Sequence, residues 1–298
     1  MKLIEKFLTI SFFSLFFLLV SCSGNEELEN DQTLDDSPSI ISIEVNGEEY
    51  YSGFATTFKT ENIISIQNGA VIKFDTSGRF GYFNIKLPTG GPSSIDRDFY
   101  SFKFFSSNFF NFNLETVDEI NKRVKGTFDG YLFADSADLT SESKYVRGSF
   151  DLKFVELVPS VFNLKNQAKI NGTEWVKIRS ESTIIPVGSS SKNYTHHDYD
   201  DSEYRISINY NLPNGVSFLN ETIYNFTNTA ISNNVKLAKY DIISNTLVYY
   251  QTSGQLIITK YENSIMYGTY FFTAVNPNNP SDIIQVTDGN FKLISNSN

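Results

Sequence analysis

Short alternations of apolar and polar residues run through most of the chain. Ile41, Ile43 and Val45 alternate with polar residues, and the Asn46-Gly47 pair that follows is typical of a two-residue hairpin turn. No window of the sequence keeps the 3.6-residue period of an amphipathic helix. The pattern therefore predicts an all-β fold built from many short antiparallel strands.

The pattern also repeats along the chain. Five short segments recur in the same order, and a step in their spacing indicates an insertion of roughly 17 residues between Phe226 and Leu256. The matching segments are 45–50 with 170–175, 87–90 with 212–215, 100–102 with 224–226, 126–128 with 268–270, and 148–150 with 289–291. We expect two tandem homologous domains, 39–157 and 163–295, each an antiparallel β-sandwich or a partly open β-barrel of seven to nine strands.

The beginning of the chain carries a different signal. Lys2 and Lys6 precede an apolar run from Phe7 to Val20. A run of this length suits a signal-peptide core of roughly 7–15 residues better than a membrane span of about 20. Leu19-Val20-Ser21-Cys22 resembles the bacterial lipobox, in which the cysteine is acylated and the chain is cut before it. We expect a signal peptide at 1–21 and lipidation of Cys22; the alternative is an ordinary secretory signal with a chance cysteine.

Residues 22–38 are polar, acidic and poor in aromatic residues, which predicts a disordered linker. The acidic run after Cys22 resembles the surface-export signal of Bacteroidota lipoproteins; a plain solvated spacer is the alternative. Together these features predict a protein that is anchored by lipid in the outer membrane and faces the cell exterior.

Composition narrows the chemistry further. The chain of 298 residues has a formal net charge of −10, one cysteine, 27 phenylalanines and 17 tyrosines. The acidic balance argues against nucleic acid as a partner, because nucleic acid requires a basic stripe. Once Cys22 carries lipid, no cysteine remains for a disulfide, a metal site or a catalytic thiol.

The only two histidines lie in the acidic segment 196–203. Histidine and carboxylate side chains bind Zn²⁺ or similar ions, and carboxylates alone suit Ca²⁺. The candidate metal ligands are His196, His197, Asp198, Asp200 and Asp201. Neighbouring residues of an extended chain face opposite sides, so the two histidines do not readily share one ion. Because residues 188–193 indicate a mobile loop, we interpret the segment as a solvated acidic loop and predict no cofactor, with a structural Ca²⁺ as the alternative.

An aromatic run covers residues 99–112. In an extended chain, Tyr100, Phe102 and Phe104 share one face and suit a sheet core, and Lys103 lies on the other face. Aromatic side chains also stack on sugar rings or line an apolar cavity. The candidate ligand-binding residues are Phe99, Phe105 and Phe109, and core packing is the alternative for all three.

The motifs of the second repeat resemble those of a known family. Asn171-Gly172-x-x-Trp175, the segment 268–274 and the segment 288–291 look like a Bacteroidota lipoprotein family catalogued as a domain of unknown function, whose members carry a β-rich domain behind a lipobox. The resemblance implies the fold and the location, and it assigns no catalytic residue.

The sequence also lacks several enzyme signatures. It contains no Gly-x-Ser-x-Gly, no phosphate loop and no dinucleotide fingerprint. We therefore expect a non-enzymatic binding or structural module whose ligand is a glycan or a protein. The alternatives are a lipocalin-like binder of a small apolar ligand and a metal-dependent or glycoside hydrolase.

Overall fold

The computed structural model describes residues 38–88, 96–157, 164–214, 218–219 and 221–294. The predicted signal peptide, Cys22, the linker up to residue 37 and the residues between the two predicted domains, 158–162, lie outside these ranges. The described residues belong to one compact unit, in which we call 38–157 the first half and 164–294 the second half. None of the helices in the described ranges has the length and apolar character that crossing a bilayer would take.

The fold is nearly all β, which confirms the predicted fold class. The strands of the first half are β1 (Ile40–Val45), β2 (Glu48–Gly53), β3 (Thr56–Thr60), β4 (Ile63–Gln67), β5 (Ala70–Asp75), β6 (Phe80–Pro88), β7 (Asp96–Tyr100), β8 (Phe110–Asp118), β9 (Arg123–Phe133), β10 (Ser143–Lys153) and β11 (Val155–Glu156). One short helix, α1 (Ser106–Phe109), precedes β8.

The second half continues with strands alone in its described part. They are β12 (Lys165–Ile170), β13 (Thr173–Val176), β14 (Arg179–Val187), β15 (Ser191–Tyr199), β16 (Tyr204–Pro213), β17 (Phe218–Leu219), β18 (Thr222–Phe226), β19 (Asn234–Asp241), β20 (Thr246–Tyr249), β21 (Gln251–Glu262), β22 (Ile265–Asn276) and β23 (Asn279–Ile294). The described ranges hold eleven strands in the first half and twelve in the second, so the predicted seven to nine per half are too few. Strands as short as β11 and β17 leave no periodic signal.

The first half forms one curled sheet. Its order is β11-β3-β4-β5-β6-β7-β9-β10-β1-β2, with β8 paired to β9. The pairs are antiparallel except for β11 with β3. Ile64 on β4 and Ile43 on β1 lie far apart in this order, yet both are buried in the same hydrophobic core. The sheet therefore wraps around that core like half a barrel.

The second half forms two sheets that share one core. Their orders are β13-β12-β23-β22-β21-β17, with β18 paired to β21, and β14-β15-β16-β19-β20. Leu256 and Phe291 of the larger sheet are buried together with Ile208 and Leu237 of the smaller sheet. Each strand pairs antiparallel with its neighbours, so this half is a sandwich.

Both halves begin with the same hairpin turn. Asn46 and Gly47 have φ of 52° and 86°, and Asn171 and Gly172 have φ of 49° and 83°. Positive φ at both central residues matches the twist of the flanking strands, and Asn-Gly tolerates it well. The turn predicted from the sequence is therefore present at both positions.

Both halves also place a glycine beneath a cross-strand aromatic ring. Gly148 pairs with Phe128 in the first half, and Gly289 pairs with Tyr270 in the second. A Cβ added at either glycine would collide with the paired ring. Close packing explains these glycines. That the halves derive from one duplicated domain stays a prediction.

The insertion predicted between Phe226 and Leu256 contains β19 and β20. In the first half, β7 lies beside β6. In the second half, β19 lies beside β16, which ends in the Leu212-Pro213 pair that matches the end of β6. The inserted strand β19 thus takes the position beside β16 that β7 takes beside β6 in the first half.

Five buried aromatic side chains join the halves. Phe102, Phe104 and Phe133 come from the first half, and Tyr199 and Tyr240 come from the second. Phe104 stacks on Tyr240 with ring centroids 4.8 Å apart and planes 5° apart. Because Tyr240 lies on the inserted strand β19, the insertion of the second half covers aromatic residues of the first.

Candidate functional site

Strand β7 ends earlier than the aromatic run suggests. The Ser101 N–H donates to the Phe83 carbonyl at 2.8 Å, and the Phe83 N–H donates to Ser101 Oγ at 3.0 Å. The chain then leaves the sheet, and Phe105 takes a φ of 47° at the start of α1. The prediction that 99–105 is one extended segment with two faces is therefore wrong. The strand ends at Tyr100, and Ser101 bonds this end to β6.

The three candidate ligand-binding aromatic residues lie in packed surroundings. Phe99 is 1 % exposed and belongs to the core of the first half. Phe105 and Phe109 are half-buried against the aromatic cluster that joins the halves. Each ring is thus used, at least in part, for packing.

The segment with both histidines is a buried strand rather than a solvated loop. His196 is 2 % exposed and Asp198 is 0 % exposed, and both lie on β15. Gly188, with φ of 60°, belongs to the turn that joins β14 to β15. The loop prediction is wrong because the Gly and Ser residues that suggested it fill only this turn and the start of the strand.

The two histidines face opposite sides of β15. His196 Nδ1 lies 2.8 Å from Ser182 Oγ, and its Nε2 lies 3.1 Å from the Tyr210 hydroxyl. His197 Nδ1 lies 2.8 Å from Ser207 Oγ. Within the described ranges, no group of three or more His, Cys, Asp or Glu side chains is arranged to hold a metal ion.

Asp198 is the end of a buried polar chain in the second half. The Tyr270 hydroxyl donates to Asn166 Oδ1 at 2.7 Å, and Asn166 Nδ2 donates to Asp198 Oδ2 at 2.8 Å. Burial raises the pKa of Asp198, although the charge of Lys177 opposes the shift. The carboxyl group is thus held inside the protein by neutral donors.

Asp200 and Asp201 make separate contacts. The Ser202 N–H donates to Asp200 Oδ1 at 3.0 Å, and burial raises the pKa of Asp200 to about 6. Asp201 Oδ1 accepts bonds from Ser106 Oγ at 2.6 Å and from the Ser107 N–H at 3.1 Å. Asp201 therefore ties the second half to α1 of the first.

A cleft of about 940 Å³ lies between the two halves. Lys73, Tyr82 and Tyr100 line it from strands β5, β6 and β7 of the first half. Residues 177–181, which join β13 to β14 and form the first three residues of β14, line it from the second half. The cleft is thus built from parts of the chain that are far apart in sequence.

Arg179 crosses the cleft and holds its walls together. Its guanidinium donates to the Ser101 carbonyl at 3.2 Å and to Ser136 Oγ at 3.3 Å. The same group lies 4.8 Å from the centre of the Tyr82 ring, at a distance typical of a cation–π contact. Burial lowers the pKa of Arg179, and nearby Glu181 opposes the shift.

Glu181 is engaged by partners from both halves. Lys103 Nζ of the first half lies 2.7 Å from Glu181 Oε1, and the Tyr199 hydroxyl donates to Oε2 at 3.2 Å. Burial alone would raise the pKa of Glu181, but the hydrogen bond and charge of Lys103, together with Arg179, bring it below its ordinary value. The carboxylate is therefore committed to joining the halves.

The halves also approach each other through their backbones. A Cβ added at Gly81 on β6 would lie 3.3 Å from the Ile178 carbonyl oxygen. Glycine permits this close approach.

Sequence reasoning missed Tyr82, Lys177 and Arg179. These residues carry no motif, and they come together only when the two halves pack. Their neighbours along the chain are ordinary strand residues, so no spacing or composition signal was available for them.

We expect His196 to make the protein less stable in mild acid. Burial lowers the pKa of His196 from 6.5 to about 4, with smaller contributions from Lys177 and His197. The unfolded chain binds this proton below about pH 6.5 while the folded protein stays neutral. The stability that the neutral side chain contributes is therefore present at pH 7 and lost as the pH falls from 6.5 towards 4.

The matched variant is His196→Gln. Between pH 7 and pH 5, the wild type should lose about 2 kcal/mol more unfolding free energy than the variant does. Urea denaturation at both pH values measures this difference, and His197 and Asp200 titrate in both proteins and cancel. Parallel losses in the two proteins would contradict the expectation.

Comparison with models of protein families, with curated proteins and with solved structures finds no match to this chain.

Proposed function

We propose that this chain is a non-enzymatic lipoprotein that binds an extracellular glycan in the cleft between its halves. Lipid on Cys22 would anchor it in the outer membrane, facing the cell exterior. The resemblance of residues 19–22 to a lipobox and the acidic run after them support the location. The cleft supports the binding role, because it is the place where polar and aromatic side chains of both halves converge.

The size of the cleft favours a glycan segment over a protein. Ligand sites in proteins enclose roughly 300–1,000 Å³, and this cleft of about 940 Å³ lies within that range. A standard protein–protein interface instead covers about 800 Å² of surface on each partner. Tyr82 and Tyr100 add aromatic faces of the kind on which sugar rings stack.

Packing inside the first half favours the cleft over a lipocalin-like interior site. Phe80 stacks on Phe110, and Phe74 meets Phe112, with ring centroids 4.6 Å apart in both pairs. Rings in mutual contact leave no room between them for an apolar ligand. These four rings thus serve the core of the first half.

The carboxylates that line the cleft favour binding over hydrolysis. Asp75 Oδ1 accepts the Arg79 N–H at 2.9 Å, and Asp135 Oδ1 accepts the Ala137 N–H at 2.9 Å. Glu181 is bound to Lys103. Each of these carboxylates already accepts a hydrogen bond or forms an ion pair within the protein. A non-enzymatic role is therefore the better proposal.

A glycan array followed by titration tests the binding site. We expect the purified chain to bind at least one glycan and Tyr100→Ala to weaken that binding by about tenfold or more, which corresponds to about 1.4 kcal/mol. Tyr131→Ala is the matched control, because Tyr131 is 49 % exposed and pairs with Tyr145 away from the cleft. The proposal would be contradicted if no glycan on the array binds, or if Tyr100→Ala and Tyr131→Ala lose the same affinity.

Metabolic labelling with a palmitate analogue in a Bacteroidota host tests the anchor. The wild-type chain should carry the label, and protease added to intact cells should degrade it. Cys22→Ser should carry no label, because the acylated thiol is absent. Label that persists in this variant would show that lipid is attached elsewhere and would refute the proposed anchor.

A further inference from the structure

The side chains that line the cleft differ in charge from the rest of the protein. The whole chain has a formal net charge of −10. The cationic residues of the lining are Lys73, Arg79, Arg97, Lys177 and Arg179. The acidic residues of the lining are Asp75, Asp135 and Glu181. The cleft is therefore a locally positive region of an acidic protein, and such a region attracts anions.

The three arginines already have acidic partners. Their nearest nitrogen–oxygen distances are 4.0 Å for Arg79 and Asp75, 3.1 Å for Arg97 and Glu142, and 3.4 Å for Arg179 and Glu181. The two lysines differ from them: in the described part of the chain, neither Lys73 nor Lys177 has a carboxylate within 4 Å. Lys73 is exposed, so water solvates its ammonium group.

Lys177 is half-buried in the cleft. It follows β13 directly, and its backbone N–H donates to the Asn166 carbonyl at 2.9 Å, which fixes its position. Asp198 acts on it electrostatically, but that carboxyl group is fully buried and accepts hydrogen bonds from the side chains of Asn166 and Ser180. Burial lowers the pKa of Lys177, as expected for a cation that lacks a close partner. An anion brought by a ligand would compensate the cost of burying this charge.

Two phenol groups line the same cleft. The Tyr82 and Tyr100 rings lie 6.5 Å apart, and their hydroxyl groups have no hydrogen-bond partner among the described residues. Arg179 holds the Tyr82 ring in place from one side. Aromatic surface, hydroxyl groups and the half-buried ammonium of Lys177, which has no carboxylate partner within the described ranges, together suit a sugar ring that carries hydroxyl groups and a negative charge.

We propose that the ligand of the cleft is an acidic glycan and that the carboxylate of one of its sugar rings binds Lys177. This inference rests on the proposed function, since it specifies the class of glycan. A lysine supplies a compact point charge with three donors, which matches one carboxylate. The three arginines of the cleft would stabilise the fold and not bind the ligand, because their charges are already paired with carboxylates.

The test compares acidic glycans with the same glycans after chemical reduction of their carboxyl groups. Oligomers of galacturonic acid and fragments of hyaluronan serve as probes, on an array and then by titration calorimetry with the purified full-length chain. We expect the acidic form to bind at least tenfold tighter than the reduced form, with an affinity that falls as salt is added.

Three lysine variants assign the effect to its residue. Lys177→Met should lower the affinity for the acidic glycan about tenfold, to the level of the reduced form. Lys177→Arg keeps the charge and should retain most of the affinity. Lys260→Met is the control, because Lys260 is exposed outside the cleft and pairs with Glu262.

The outcomes separate this inference from the function on which it rests. Equal binding of acidic and reduced glycans, or full affinity in Lys177→Met, would overturn the acidic ligand and leave a binder of neutral glycans. Failure of both acidic and neutral glycans to bind would overturn the proposed function as well.

Discussion

The stacking of Phe104 on Tyr240 holds the two halves of this protein in one arrangement. Both rings are buried, and they lie 4.8 Å apart within a cluster that also contains Phe102 and Tyr199. Exposing such rings to water is unfavourable in proportion to their apolar area. The cleft depends on this contact, because one of its walls comes from each half. Asp201, bonded to α1, adds a polar tie at the edge of the same interface.

Charged groups around the cluster define the geometry more than they stabilise it. Lys103 Nζ and Glu181 Oε1 lie 2.7 Å apart across the interface, and Arg179 bridges the halves beside them. Removing such charges from water costs much of what their attraction returns, so a partly buried pair contributes little net stability. Their hydrogen bonds have strict directions, however, and these directions fix how the walls of the cleft face each other.

Local chemistry made part of this fold predictable. The Asn46-Gly47 and Asn171-Gly172 turns depend only on the φ preferences of their own residues, so the sequence suffices to locate them.

The features that the sequence does not predict depend on tertiary contacts. His196 and Asp198 are polar, and only packing against the rest of the second half turns their segment into a buried strand. The cleft brings Tyr82 and Lys177 together from separate halves, so no local sequence pattern predicts the cleft. Lipidation of Cys22 stays a prediction from the residues around it.

Calorimetric unfolding of the full-length chain tests most directly whether the halves form one unit. We expect one transition from the wild type, with a calorimetric enthalpy equal to the van't Hoff enthalpy. Phe104→Ala removes a buried ring, so it should cost about 3 kcal/mol and separate the transition into two. Two independent transitions in the wild type, at temperatures that Phe104→Ala leaves unchanged, would contradict a cleft held in place by this interface.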